Sequence, residues 1–98
     1  MLNQKSGYDV IRREERTDED NRYLYELMMR KGDSVACWRM PLYSIRVNMT
    51  DAYGNEGSAD AKDVFSDEDK AIDFFDKLVR NLATPIDLSY ILEDEMLG

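Results

Sequence analysis

The chain has 98 residues, 43% hydrophobic and 35% charged, with a formal net charge of −8. That length fits one domain with one modest core, and the composition is that of a soluble folded chain rather than a disordered one. The acid excess works against docking on nucleic-acid phosphates, because release of cations drives such binding, and no apolar run nears the ~20 residues that span a bilayer.

In chain order, residues 1–7 read as a loose leader without the apolar stretch of a signal peptide, so the expected location is the cytoplasm. Residues 8–98 then form a single domain. Residues 8–16 are a first strand, and the polar run 17–21 is a turn. In residues 22–30, period-two alternation puts Tyr23, Tyr25, Leu27 and Met29 on one face of a second strand. Leu24 and Met28 fall on its other face, beside Glu26. After a turn at 31–34, residues 35–40 are short and β-prone, with Val35 and Cys37 opposite Trp38 and Met40. Pro41 cannot donate to a ladder and marks a bend, a bulge or an edge. Residues 43–50 are the clearest strand: Tyr43, Ile45, Val47 and Met49 point one way, Ser44, Arg46, Asn48 and Thr50 the other. A loop at 51–57 leads to a weaker strand at 58–64, where Ala59 and Ala61 leave room for a helix to approach.

The stretch 63–83 organises the rest. Ala71, Phe75, Leu78 and Leu82 recur at helical spacing, with Ile72 and Val79 beside them and Phe74 and Ala83 at the edges of an apolar half-cylinder. Lys70, Asp73, Asp76, Lys77 and Arg80 fill the other half. Ser66 with Asp69 reads as a short-armed capping box, and Asp67, Glu68 and Asp69 set negative charge at the positive end of the helix dipole. Thr84, Pro85 and Asp87 open a second helix, residues 85–96, with a narrow stripe of Leu88, Ile91 and Leu92. The predicted fold is therefore α+β: an antiparallel sheet of about four strands with two C-terminal helices packed on one face. Its predicted core is Leu27, Met29, Ile45, Val47, Ile72, Phe75, Leu78, Val79, Leu82, Leu88 and Ile91.

The strand opening Tyr43-Ser44-Ile45, the helix entry Asp63-Val64-Phe65-Ser66 and the run from Thr84 to Asp94 together resemble a family of small uncharacterised domains from clostridia-like Gram-positive bacteria. In that family the last motif runs roughly Pro-x-His-Leu-x-Asp-Val-Ile-Glu-Asp. Here Asp87 stands at the position of its histidine, and Tyr90 also departs from the pattern. The resemblance implies no activity.

Chemistry-bearing groups are few. The absence of histidine removes the commonest general base, the commonest metal ligand and every Ser–His or Cys–His nucleophile. One cysteine, Cys37, allows neither a disulfide framework nor a single-chain structural zinc site. Asp51, Tyr53, Asn55 and Gly57 faintly echo a calcium loop, but Glu56 and Lys62 occupy the positions that need Gly and Glu, so a plain hairpin loop is the better reading. The acids at 67–69 and 93–95 would meet if the two helices pack side by side; helix-dipole compensation and solvated charge account for them without chemistry. No catalytic, cofactor-binding or metal residue is assigned.

The expected function is that of a non-enzymatic protein-binding or assembly module. An acidic decoy occupying a basic nucleic-acid-binding protein is the alternative, and a carboxylate enzyme comes third. Because two helices cover only one sheet face, Leu24, Met28 and Trp38 are the candidate interface of a homodimer, joined face to face or through edge strands.

Overall fold

The computed structural model describes residues 7–31 and 41–97. Four antiparallel strands lie in sequence order in one sheet: β1 (Asp9–Asp18), β2 (Asn21–Lys31), β3 (Pro41–Thr50) and β4 (Glu56–Phe65). Two helices follow, α1 (Glu68–Arg80) and α2 (Pro85–Leu97). This is the predicted α+β arrangement. The segment 35–40, with Val35, Cys37, Trp38 and Met40, lies outside the described residues.

Alternation decides which face is covered. Tyr23, Tyr25 and Leu27 of β2 stand beside Met49, Val47 and Ile45 of β3. Helix residues Ala71, Phe74, Phe75, Leu78, Val79 and Leu88 close over them to form the core. Of the predicted core, Leu27, Ile45, Val47, Phe75, Leu78, Val79 and Leu88 are buried, while Met29, Ile72, Leu82 and Ile91 are half-buried against it. Tyr25, Tyr43 and Phe74 are core residues that the prediction left out. Tyr25 is tolerated there because its hydroxyl donates to the Ala83 carbonyl at 2.8 Å.

Three boundaries differ from the sequence reading. Pro41 is the first residue of the central strand β3, opposite Lys31, a position where the missing N–H does least harm. Asp63 and Val64, read both as the end of the strand and as the start of the stretch 63–83, belong with Phe65 to β4. Five residues of β4, Ala61 to Phe65, oppose only three of β3, Tyr43 to Ile45. The irregularity is taken up at Asp63, which has φ 56° and whose N–H donates to Ser44 Oγ at 2.8 Å. It sets Phe65 5.3 Å from the Phe74 ring, so packing against α1 holds the chain in β4 one residue past the predicted strand.

The cap of α1 is therefore Asp67, not Ser66. Its carboxylate accepts from the N–H groups of Asp69 (2.9 Å) and Lys70 (3.3 Å). At the other end the helix stops at Arg80. Leu82 turns left-handed at φ 50°, Ala83 N–H donates to Leu78 O (3.0 Å), and Leu82 N–H donates to Val79 O (3.1 Å). That is a Schellman ending built without glycine. The second capping box forms as predicted, with Asp87 N–H to Thr84 Oγ1 at 3.2 Å and Thr84 N–H to the Asp87 carboxylate at 3.0 Å.

Candidate functional site

The sheet face away from α1 and α2 is where the sequence placed an interface. Its middle is a row of alternating charge across all four strands: Arg13 is opposite Glu26, Glu26 opposite Arg46, and Arg46 opposite Asp60. Arg13 reaches the Glu26 carboxylate at 2.8 Å, and Arg46 approaches Asp60 at 3.9 Å. Glu26 is buried, so its bond from Arg13 offsets the desolvation of the carboxylate. Leu24 is half-buried beside this row, and Met28 is only 8% exposed, already enclosed within the chain. Trp38, the third candidate, lies outside the described residues.

A second charged cluster forms at the β4 irregularity. Arg30 grips the Asp63 carboxylate with two hydrogen bonds of 3.1 and 2.7 Å, and the Tyr8 hydroxyl donates to the same carboxylate at 3.3 Å. The guanidinium lies 5.8 Å from the Tyr8 ring centre. Arg30 holds the Asp63 carboxyl below the usual carboxylate range, and Asp63 in turn raises Arg30 further above its own. A carboxylate held in this way is a clamp between strands, not a free base.

The two acidic groups do approach each other. Asp67, Asp73 and Glu95 line an open hollow of about 500 Å³ with Lys70, Phe65 and Met96. Asp67 is committed to its cap, and Glu95 lies 3.7 Å from Lys77. Among the described residues, no group of three or more His, Cys, Asp or Glu is placed to hold a metal ion. The supposed calcium loop is a turn. One Asp51 oxygen accepts from the N–H groups of Tyr53 and Asn55, both at 2.9 Å, and the other accepts from the Asn55 side chain at 3.2 Å. The Asn55 N–H is the main reason the Asp51 carboxyl is held low. Gly54, at φ 84°, makes the reversal.

The surface that sequence reasoning missed is the outward side of α2. At about 100° per residue, Ile86 and Tyr90 fall opposite Leu88. Leu88 is buried, whereas Ile86 is 73% and Tyr90 67% exposed. Apolar residues on both sides of a thirteen-residue helix were the available signal; the Leu88–Ile91–Leu92 stripe drew attention to one side only. The outward pair sits in an acidic layer. From Asp67 to Leu97 the chain has nine acids and three bases, which is six of its eight net negative charges.

A model of a family of unknown function, DUF6514, matches residues 8–97. The chain belongs to that family. The match runs from Tyr8 at the Arg30–Asp63 clamp through α2. No curated protein and no solved structure matches the chain. None of the helices among the described residues is long and apolar enough to cross a membrane.

Proposed function

We infer that this DUF6514 domain is a non-enzymatic protein-binding module whose helix layer receives a basic, amphipathic segment of another protein. The observation that carries this reading is Ile86 and Tyr90, exposed one turn apart on α2 within a layer of nine acids and three bases. The apolar pair offers desolvation energy, and Glu93 and Asp94 beside it offer charge to lysines and arginines flanking the partner's apolar residues. α2 itself contains no basic residue, and its acids Glu93, Asp94 and Glu95 are exposed; of these, among the described residues, only Glu95 forms an ion pair, with Lys77 of α1. We place the protein in the cytoplasm, consistent with its lone cysteine.

The decoy reading differs in one respect. A mimic of nucleic acid would use charge alone, and Ile86 and Tyr90 would be dispensable. Site-specific photo-crosslinking in the native cell separates the two. A benzophenone amino acid at position 90 should yield adducts whose cross-linked peptide is basic and amphipathic, and Ile86→Asp should abolish them. The same probe at Asp60, on the opposite sheet face, should yield none. Adducts that survive Ile86→Asp but vanish on Glu93→Lys with Asp94→Lys would favour the decoy. Absence of adducts at position 90 would remove the α2 surface from consideration.

A further inference from the structure

The sheet has an open edge with an unusual charge order. Among the described residues β1 is the outermost strand and pairs only with β2. From Arg12 opposite Leu27 to Asp18 opposite Asn21 the pairing is unbroken, and the one irregularity lies between Val10 and Arg12. The strand contains neither proline nor glycine. Its outer side is therefore a regular row of backbone donors and acceptors from residue 12 to residue 18, the kind of edge that pairs with another strand.

Register fixes where the side chains point. Arg12, Glu14 and Arg16 share the face of Leu27, Tyr25 and Tyr23, and Asp18 shares that of Asn21. This is the helix side of the sheet, but α1 and α2 pack over β2, β3 and β4, and Arg12, Arg16 and Asp18 stay exposed. The signs along it run plus, minus, plus, minus. Such a row is complementary to its own reverse. We propose that β1 pairs antiparallel with β1 of a second copy, Glu15 opposite Glu15, joining two sheets into one of eight strands with all four helices on the same side.

In that register Arg12 is opposite Asp18 of the second copy and Glu14 is opposite Arg16. The two-fold axis repeats both pairs, giving four cross-strand ion pairs on one face, each at the separation where opposite charges attract. Sliding by two residues one way sets Glu14 against Glu14 and Arg12 against Arg16. Sliding the other way sets Arg16 against Arg16 and Glu14 against Asp18. The alternation thus selects one register. On the other face the Glu15 pair at the axis is unfavourable, relieved by the diagonal Arg13 residues. Overall charge does not forbid the approach: β1 has three arginines against four acids, close to neutral on a chain of net charge −8. Among the described residues Arg12 and Asp18 form no ion pair within the chain, whereas Arg16 already holds Glu14 at 2.9 Å. This inference is independent of the α2 surface, which stays exposed in the dimer.

Two charge-reversed chains test it. Arg12→Glu with Arg16→Glu makes the row wholly acidic, and Glu14→Arg with Asp18→Arg makes it wholly basic. Sedimentation at ~1–100 μM should give twice the 11.4 kDa chain mass for the native protein, single mass for each reversed chain alone, and double mass again for their equimolar mixture. Circular dichroism checks that each variant is folded. Hydrogen exchange on the native protein needs no variant: amides of residues 12–18 should exchange more slowly as concentration rises through the dimerisation range. A native monomer throughout, reversed chains that dimerise as the native one does, or a mixture that stays monomeric would each overturn the proposal.

Discussion

Removing the hydroxyl of Tyr25 tests how the helix layer is tied to the sheet. Tyr25 is fully buried, and its O–H donates to the carbonyl of Ala83, itself 1% exposed, at the turn between α1 and α2. Tyr25→Phe keeps the ring and its packing but leaves that carbonyl without its donor. A buried polar group left unpaired costs about 1–3 kcal/mol, and for a domain of this size each kcal/mol lowers Tm by about 4–8 °C. Urea unfolding should therefore show an earlier midpoint with an unchanged slope, since the surface exposed on unfolding is the same.

The alkaline limb gives a second reading of the same residue. Burial pushes the Tyr25 hydroxyl from 10.0 up to about 12. A raised folded value means the native state keeps its proton after the unfolded chain has lost it. The contribution is thus intact below pH 10 and falls away as pH rises from 10 to about 12, by about 3 kcal/mol in all. In Tyr25→Phe this part of the slope disappears, and a smaller one remains from Tyr43, which burial and Glu68 also shift upward. A variant as stable as the native protein, with an unchanged alkaline slope, would refute the tether.

Three further outcomes follow from the same structure. Phe75 is 1% exposed beneath α1, so Phe75→Ala should cost about 3–5 kcal/mol in denaturant melts, and a loss below ~1 kcal/mol would mean that the α1 face is misassigned. Asp63 has a lowered pKa through Arg30, so its stabilisation is present above the ordinary carboxyl range and is lost as pH falls through the depressed value; Asp63→Asn should flatten the acid limb of stability, and an unchanged limb would count against the clamp. Calorimetric titration with zinc or calcium should give no one-to-one complex tighter than ~10 μM, because Asp51 is saturated by its own loop.

Much of the fold was legible because period-two and period-3.6 patterns report burial directly. Tyr23, Tyr25 and Leu27 on one side of β2, and Ile45 and Val47 on β3, needed only alternation. The Thr84–Asp87 box was legible because both of its partners lie within one turn. The ends of α1 were not, for reasons that sit outside the local sequence. Phe65 is kept in β4 by the Phe74 ring across the layer, and Leu82 leaves the helix through a left-handed conformation that glycine ordinarily marks. The Arg30–Asp63–Tyr8 cluster joins residues up to 55 positions apart, and no spacing rule reaches that far. On α2, Ile86 and Tyr90 were visible as apolar residues, but which side faces the sheet is a tertiary fact.

The sheet face away from the helices can be set against the β1 edge by one pair of substitutions. A face-to-face homodimer, as expected from sequence, requires Leu24, Met28 and Trp38 to be wet in the monomer, and of these Trp38 lies outside the described residues. Met28 is 8% exposed and Leu24 half-buried, and around them Arg13 is engaged with Glu26, and Arg30 with Asp63. Pressing two such faces together would desolvate ion pairs that are already made, a cost that new apolar contact from two half-hidden side chains does not offset. Leu24→Glu should therefore leave both stability and assembly close to native, since the new carboxylate can reach solvent. Met28→Glu buries an unpaired charge and should lower stability by several kcal/mol without altering the mass of the molecules still folded. Sedimentation and denaturant melts on the two single variants resolve the matter. If Leu24→Glu yields a folded monomer from a native dimer, the interface is the sheet face and the β1 pairing is wrong; if the dimer persists, the join lies elsewhere, and the alternating charges of β1 specify where.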